Sequence, residues 1–312
     1  MRYFLLLLGH VCGFAFAGIY ADIVSGGDLY QEAVQLREEE VIELARNDET
    51  VLCSLDSHSL ESLLSEEVEH YLHMCPENSD LLHLKGTMLI SRKMKPNKES
   101  DPIALFRLSA QAGNSMAQYK LGVAYSKGYI FQETGMGVQK DIDKSIYWLK
   151  RSIENKNSSA MNALAELFLF DLENPKKAFE YFSMAAKSGD ARGLYMAAWL
   201  LELGRGTEKD LGKAVHLYQV AAEDGYTQAW ARIGNIFLKG REGIPIDEVA
   251  ARKAYTIGAN NGNPECQLAI GILLLSGVGG DKDKSQAIEY LKLAKNNGEK
   301  NASIILIKLG TD

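Results

Sequence analysis

Histidine and cysteine, the side chains that most often bind zinc, are concentrated in one part of this chain. His70 and His73 are spaced to share one face of a helix, as two zinc ligands would. No second closely spaced pair completes a tetrahedral site, so we interpret these histidines as solvated helix residues and predict no metal site. The cluster comprises His58, His70, His73, His83, Cys53 and Cys75.

The two cysteines of this cluster have another interpretation. A disulfide between Cys53 and Cys75 would close a helical hairpin, and such bridges are common in exported proteins. Beyond the first 21 residues the chain has one further cysteine, Cys266. Three cysteines do not make a disulfide framework, so at most one bridge is expected.

A glycine-rich stretch at 277–280, Gly-Val-Gly-Gly with Lys282 and Lys284 close behind, has the composition of a phosphate-binding loop. Such a loop lies at a strand-to-helix turn and closes with Gly-Lys-Ser or Gly-Lys-Thr. Here the stretch follows an apolar helical run, and neither tripeptide closes it. It therefore predicts a joint between two helices rather than a nucleotide site.

Other catalytic patterns are missing from the sequence. There is no Gly-x-Ser-x-Gly, no His-Glu-x-x-His and no carboxylate pair in a shared apolar setting, and His216 has no nucleophile at a fixed spacing. These residue types carry hydrolytic chemistry in the common enzyme classes. The sequence thus favours a protein without an enzymatic activity or a cofactor.

The next helical run after the glycine joint ends at Gly298, which belongs to a series of anchor positions that recurs along the chain at a nearly constant interval. Successive anchors are 43, 33, 36, 37 and 36 residues apart, at Gly113, Lys156, Gly189, Gly225, Gly262 and Gly298. Periods of this length are the signature of repeat proteins built from one supersecondary unit.

Three further series keep the same register. Nine residues after each anchor stands a small residue, which would let a neighbouring helix approach closely: Gly122, Ala165, Ala198, Gly234 and Gly271. Fifteen residues after the anchor, glycine suits a helix end, at Gly128, Gly204, Gly240 and Gly277, with Asp171 the exception. An N-cap residue precedes each second helix, at Asp141, Asn174, Asp210, Asp247 and Asp283.

These series predict helix pairs separated by glycine stops. One period before Gly113, Gly86 keeps the ninth position, so a degenerate pair is predicted over 77–112, and a lone helix over 300–309 would end the array. Each pair can bury its apolar face only against its neighbours. The predicted fold is an all-α, right-handed superhelical solenoid of about six helix-turn-helix repeats.

Two stretches, AQYKLGVAYSKG at 117–128 and AVHLYQVAAEDG at 214–225, resemble Sel1-like repeats, relatives of the tetratricopeptide repeats. The resemblance covers roughly 100–310, is strong from 113 to 298, and does not extend to 22–76. It implies an adaptor that binds other proteins. Cysteine-rich relatives linked to penicillin recognition carry a cysteine pair in every repeat, which this chain lacks.

Candidate protein-binding residues lie where the repeats vary. In the geometry of this family, positions three, six and ten after the anchor point to the inner wall, where Arg192, Tyr195 and Trp199 would form an amphipathic patch with the residue types of binding hot spots. Tyr119 is at the same position as Tyr195. Packing against a divergent neighbour is the alternative, whereas Trp148 and Trp230 are assigned to the core.

The one insertion, at 129–138, is the second candidate contact region. It places apolar side chains in a predicted loop, where they are unusual unless they touch something: Tyr129, Ile130, Phe131 and Met136. Insertions in solenoids fall on one face and often serve binding. Coverage of helix ends by the loop is the alternative.

Cys266 lies at the position that is Ala117 and Ala229 in other repeats, so a buried small residue is expected there.

The chain divides by composition into three parts. Residues 1–21, with one basic residue before an apolar run, are typical of a signal peptide, and an uncleaved anchor is the alternative. Residues 22–76 form an acidic helical segment; 22–75 carry 14 acidic and two basic side chains. Residues 77–312 form the repeats, where the mild positive balance is far from what nucleic-acid binding needs.

We therefore expect a periplasmic or secreted protein that binds another protein and contacts a membrane only through an uncleaved leader. The resemblance to exported repeat proteins suggests an immunity protein that neutralises a type VI secretion effector, for example a lipase. Envelope assembly and host interaction are the alternative adaptor roles. A metal-binding or hydrolytic protein built around the histidine-rich segment is the competing class.

Overall fold

The computed structural model describes residues 68, 72–73, 75, 78–91, 101–130, 137–241 and 243–311. Within them the chain is helical apart from one short hairpin. Two compact units are present, Met1–Asn114 and Ser115–Asp312. The predicted leader and most of the predicted acidic segment lie outside the described residues, and the predicted boundary between 76 and 77 falls inside the first unit.

In the first unit, two helices form a pair. Helix α1 spans Ser79–Ile90 and α2 spans Pro102–Gln111. The Asn78 side chain accepts hydrogen bonds from the first turn of α1, and Asp101 caps α2 in front of the favoured proline. A Cβ atom added at Gly86 would lie 2.8 Å from the Phe106 ring, so the glycine lets the two helices approach. The predicted degenerate pair over 77–112 corresponds to these helices.

The second unit consists of five helix pairs and a final helix. Its helices are α3 (Ser115–Lys127), α4 (Ile142–Glu154), α5 (Ser158–Glu166), α6 (Pro175–Lys187), α7 (Ala191–Leu203), α8 (Leu211–Glu223), α9 (Gln228–Lys239), α10 (Glu248–Asn260), α11 (Pro264–Ser276), α12 (Lys284–Asn296) and α13 (Lys300–Leu309). Each helix packs on the next along the chain. The all-α solenoid fold is confirmed, as is the lone final helix.

The predicted N-caps start every second helix of the second unit. The side chains of Asp141, Asn174, Asp210, Asp247 and Asp283 each accept a hydrogen bond from a backbone N–H three residues further on. These N–H groups have no partner inside the helix, so the cap satisfies them and fixes where the helix begins.

Small residues at the ninth position bring the two helices of a pair together. A Cβ atom added at Gly122 would lie 2.7 Å from Leu149, and one at Gly234 would lie 2.6 Å from the Tyr255 ring. The large side chain of the second helix therefore fills the space that the glycine leaves. Leu149, Tyr218, Tyr255 and Leu291, each buried, repeat this packing along the array.

The connections form two edges of the second unit. The turn edge joins each second helix to the next first helix in three or four residues, at 155–157, 188–190, 224–227, 261–263 and 297–299. The loop edge joins the two helices of one pair, at 128–141, 172–174, 204–210, 240–247 and 277–283.

Two features of the loop edge depart from the repeat. The insertion predicted as a loop begins and ends as a hairpin, in which β1 (Tyr129–Ile130) pairs antiparallel with β2 (Gly137–Val138). After α5 the chain forms a π-helical turn over Leu167–Asp171 instead of ending at a glycine. Among the described residues, no helix combines the length and apolarity needed to cross a bilayer.

Candidate protein-binding surface

A groove lies on the face of the second unit formed by the first helices of its first three pairs. It has a volume of about 450 Å³ and is lined by α3, α5 and α7 together with the chain on either side of them. Its lining comprises Tyr119, Val123, Ser126, Lys127, Lys140, Ser159, Ala163, Glu166, Leu167, Phe170, Asp171 and Arg192. Several of these are the variable positions three, six and ten that the sequence predicted to face a partner.

The π-helical turn shapes one wall of the groove. Leu167, Phe168 and Leu169 are buried in the core, while Phe170 is 63% exposed at the groove. A π turn inserts one extra residue into a helix and is frequent at functional sites. The extra residue displaces the end of the helix, and Glu173, with a φ of 49°, takes the left-handed conformation that glycine takes in other pairs.

Charged side chains surround the apolar part of the groove. Arg192 forms an ion pair with Glu166, and Lys140 pairs with Asp171 at 2.6 Å between Nζ and Oδ1. Lys127, on the exposed side of α3, makes no ion pair within the described part of the chain. Among the described residues, the lining therefore carries one positive charge, that of Lys127, without an ion pair.

The structure distributes Arg192, Tyr195 and Trp199 over two environments. Arg192 lines the groove and is exposed, whereas Tyr195 and Trp199 are half-buried against the clusters that form the core of the unit. The Tyr195 ring lies 5.3 Å from Tyr218 and 4.7 Å from Tyr226. Both aromatic residues thus contribute to packing between neighbouring pairs, which the sequence left open as the alternative.

A buried polar network stabilises this region. The Glu202 carboxylate, 4% exposed, accepts a hydrogen bond from the Tyr218 hydroxyl at 2.8 Å and pairs with Arg241 of the loop edge, also at 2.8 Å. Burial, followed by the negative charge of Glu202, raises the pKa of Tyr218, so the phenol remains a donor. The Arg232 Nε atom donates to the Tyr195 hydroxyl at 3.2 Å. This network joins two successive helix pairs, because Tyr195, Glu202 and Tyr218 belong to α7 and α8, and Arg232 and Arg241 belong to α9 and the loop that follows it.

Asp190 plays a similar role at the turn edge. Its carboxylate accepts hydrogen bonds from the Gly193 N–H, the Asn162 amide and the Ser158 hydroxyl, at 2.7–2.8 Å. Burial raises the pKa of Asp190, but these hydrogen bonds together lower it further, so it lies below its ordinary value. The carboxylate is therefore ionised at neutral pH and ties α5 to the start of α7.

Of the remaining predicted contact residues, only Tyr119 is among the described residues that line the groove. Tyr129 is half-buried in the hairpin. Ile130 belongs to β1, and Phe131 and Met136 lie outside the described residues. Trp148 and Trp230, predicted as core residues, are half-buried.

The cysteines and histidines do not form a described metal site. Cys75 is buried and disulfide-bonded, and its predicted partner Cys53 lies outside the described residues, as do His58 and His70. His73 is exposed. No group of three or more potential ligands lies close together in the described ranges.

The sequence reasoning missed seven of the groove residues, among them Lys127, Leu167 and Phe170. The available signal was Asp171, which stands where the other pairs have glycine and marks an irregular helix end. The Glu202 network was also missed, although Glu202 takes a place that is leucine at Leu238 and Leu275. A carboxylate at a position that is leucine in three of the other repeats indicates a special partner.

Together, the helix pairs, their glycine contacts and their capped starts define an α-solenoid protein. The model of the Sel1 repeat family matches five consecutive segments, 115–157, 158–190, 191–226, 228–263 and 264–299. The chain belongs to the Sel1 repeat family. The match begins at the second compact unit, so the pair formed by α1 and α2 lies outside it.

Curated relatives share part of this chain. A component of the ERAD-associated E3 ubiquitin-protein ligase, HRD3B of Arabidopsis thaliana, is 30% identical over 60% of the chain and 26% of its own length. The chitin synthase regulator SKT5 of Saccharomyces cerevisiae is 28% identical over 61% of the chain and 28% of its own length. The chain thus spans about a quarter of the length of these two relatives.

Solved structures agree with the fold. A Sel1 repeat protein from Oxalobacter formigenes is 25% identical, with a TM-score of 0.58 over 72% of this chain and 86% of that one. A protective antigen of uropathogenic Escherichia coli with an SLR fold gives a TM-score of 0.61 at 23% identity, over 77% of this chain and 52% of that one.

Proposed function

We propose that this protein is an exported, non-enzymatic adaptor that binds another protein at the groove between α3, α5 and α7. The observation that carries this proposal is the groove itself. It combines an exposed phenylalanine with a lysine, Lys127, that has no ion pair among the described residues, on the face that varies between repeats. A concave apolar surface with a charged rim is a common feature of protein–protein contact sites.

The family and the relatives support the adaptor class. Sel1 repeats mediate protein–protein interaction, and the relatives are named as regulators or as components of larger assemblies. None of those names assigns this chain a partner. Export is supported by the composition of residues 1–21 alone.

More specifically, we propose that the protein is an immunity protein that neutralises a secreted effector. Envelope assembly and interaction with a host are the alternatives. The identity of the bound protein separates these roles, because a toxic effector indicates immunity and an envelope or host protein indicates scaffolding.

Site-specific cross-linking in the native host tests the proposal. A photoreactive phenylalanine at Tyr119 would lie in the groove, and one at Leu293, an exposed residue of the second helix α12, serves as the control. We expect a defined protein adduct at Tyr119 and none at Leu293, with the partner identified by mass spectrometry. Equal adducts at both positions, or none at Tyr119, would contradict binding at the groove.

Export is tested separately by the mature N-terminus. Mass spectrometry of the protein from fractionated cells should show cleavage near Ala17 or Ala21 in an extracytoplasmic fraction. An intact N-terminus in the cytoplasm would contradict export without affecting the groove.

A further inference from the structure

The apolar part of the groove has the size of a site for a few side chains. Its volume of about 450 Å³ falls within the ~300–1,000 Å³ typical of small-ligand pockets. Val123 and Ala163 supply aliphatic surface, and Tyr119 and Phe170 supply aromatic surface, with the buried Leu167 behind them. A single large apolar side chain can therefore be covered from several directions.

Phe170 shows that this surface is not fully used within the protein. It directly follows three buried residues, yet the π turn leaves most of its ring in solvent. The neighbouring Phe168 ring, in contrast, stacks on Tyr181 at 5.6 Å and lies under the Lys177 ammonium. Covering Phe170 with a partner's apolar group would remove apolar area from water, which is favourable.

The charges at the groove favour one sign of partner. Glu166 and Asp171 are already paired with Arg192 and Lys140, while Lys127 has no ion pair in the described ranges. An incoming carboxylate would neutralise Lys127 without breaking either pair. A cationic group would meet repulsion from Lys127 and find both carboxylates occupied.

Resting on the proposed function, we infer that the groove accepts a short segment of a partner protein in which a large apolar side chain stands next to an aspartate or glutamate. The apolar side chain lies against Phe170 and Val123, and the carboxylate binds Lys127. This arrangement follows the charge complementarity of the lining and the exposure of Phe170. It names the chemistry of the partner, which the proposed function leaves open.

Selection from a displayed library of random 12-residue peptides, with the full-length protein as bait, tests this inference. We expect the enriched peptides to share an acidic residue beside Phe, Leu, Ile, Met or Trp. A labelled enriched peptide, measured by fluorescence anisotropy, should bind Phe170→Ser and Lys127→Glu each about tenfold more weakly, a loss of ~1.4 kcal/mol. Added salt should reduce the effect of Lys127→Glu.

Matched controls exist at the other end of the array. Ile307 is exposed by 63%, like Phe170, and Lys308 is an exposed lysine of the same helix, α13. Ile307→Ser and Lys308→Glu should leave peptide binding unchanged. Circular dichroism verifies that each variant folds, and Phe170→Gln replaces Phe170→Ser if the serine variant does not.

The inference is overturned if no peptide is enriched, if the enriched peptides are basic or lack an acid, or if binding is indifferent to Phe170 and Lys127. A dimer in analytical ultracentrifugation that Phe170→Ser dissociates would assign the groove to a second copy and overturn it as well. If cross-linking at Tyr119 succeeds while the peptide test fails, the groove binds a protein by another chemistry. The proposed function then stands, and only this inference falls.

Discussion

At the turn edge, the connections are short, and a Cβ atom added at Gly225 would meet no other atom within 4 Å. At the loop edge, every connection except 172–174 is longer, and contacts with the neighbouring pair occur there. A Cβ atom at Gly206 would overlap the Pro175 carbonyl, and the Arg252 guanidinium donates to the Asp281 carbonyl at 2.9 Å. Both edges hold one repeat against the next, but by different means. The turn edge uses side-chain hydrogen bonds such as those of Asp190 and leaves Gly225 open, whereas the loop edge uses close backbone contacts such as that of Gly206.

The two edges also differ in how much their connections vary in length, and the groove lies beside the more variable edge. The turn edge keeps nearly the same length in every repeat, which leaves little room for a new site. The loop edge varies in length, and it contains both departures from the repeat, the hairpin and the π-helical turn. Both flank the groove through Lys127, Lys140 and Asp171. Variation at the loop edge therefore shapes the groove that we propose as the binding surface.

The largest difference between the edges is expected from adding one methyl group to each. Gly206→Ala should lower the free energy of unfolding by about 3–4 kcal/mol, because left-handed strain of ~1–2 kcal/mol adds to an overlap with Pro175. Gly225→Ala should cost only the strain, about 1–2 kcal/mol. Urea unfolding followed by circular dichroism measures both. Equal losses would show that the loop edge is as open as the turn edge.

The next prediction concerns the ion pairs of the loop edge. Arg241→Met leaves the buried Glu202, among the described residues, with the Tyr218 hydroxyl as its hydrogen-bond partner. We therefore expect the free energy of unfolding, measured by urea denaturation, to fall by about 2 kcal/mol. This is below the full cost of breaking a buried pair, because the Arg241 side chain is 40% exposed. Lys140→Met, which removes the exposed pair with Asp171, should cost less than ~1 kcal/mol.

A double variant sharpens this prediction. Glu202→Leu with Arg241→Met replaces the carboxylate by the residue found at Leu238 and Leu275, and should recover most of the stability that Arg241→Met loses. A double variant no more stable than Arg241→Met would show that the network fixes the loop in a way that apolar packing cannot.

Two residues with positive φ test how far each edge tolerates a side chain. Lys156 at the turn edge has a φ of 60°, and Glu173 at the loop edge has a φ of 49°. Lys156→Gly should raise the free energy of unfolding by up to about 1 kcal/mol, because the left-handed strain outweighs the entropy that glycine adds to the unfolded chain. Glu173→Gly should do the same. Thermal denaturation shows the gain, and a loss in either variant would mean that its side chain makes a stabilising contact.

Much of the fold could be predicted because its signals are local and repeated. Asp141 and its four equivalents predict where helices start, and Gly122 and Gly234 predict where two helices pack closely. The groove was only partly predicted, because Phe170 reaches solvent through a π turn that no periodic pattern encodes. Tyr195 and Trp199 have hot-spot residue types. Tyr195, however, packs against Tyr218, which comes from the second helix of the same pair, and against Tyr226, which comes from the turn after that helix, and no local pattern announces these contacts.

The smallest effect on the free energy of unfolding is expected at Cys266, where other repeats already have alanine. Cys266 is fully buried, and burial, with a smaller contribution from Glu265, raises the pKa of its thiol to about 12, so it acts as a small apolar group. Cys266→Ala should therefore cost only about 0.5 kcal/mol, at the low end for a core truncation. A loss above ~2 kcal/mol would contradict its equivalence to Ala117 and Ala229.

A companion variant shows why the cost is small. Gly258 on α10 faces Cys266 on α11, and a Cβ atom added at Gly258 would overlap the Cys266 sulfur. At the equivalent contact between α6 and α7 the residues are exchanged: the glycine, Gly193, is on α7, and a Cβ atom added there would lie 2.6 Å from Ala185 on α6. The two positions thus share a fixed volume. Gly258→Ala should destabilise the natural chain by ~1–3 kcal/mol, and less in the Cys266→Ala background. The relief is partial because Trp230 still lies 2.7 Å from the added atom. Strict additivity of the two changes would mean that the sulfur is not what excludes the methyl group.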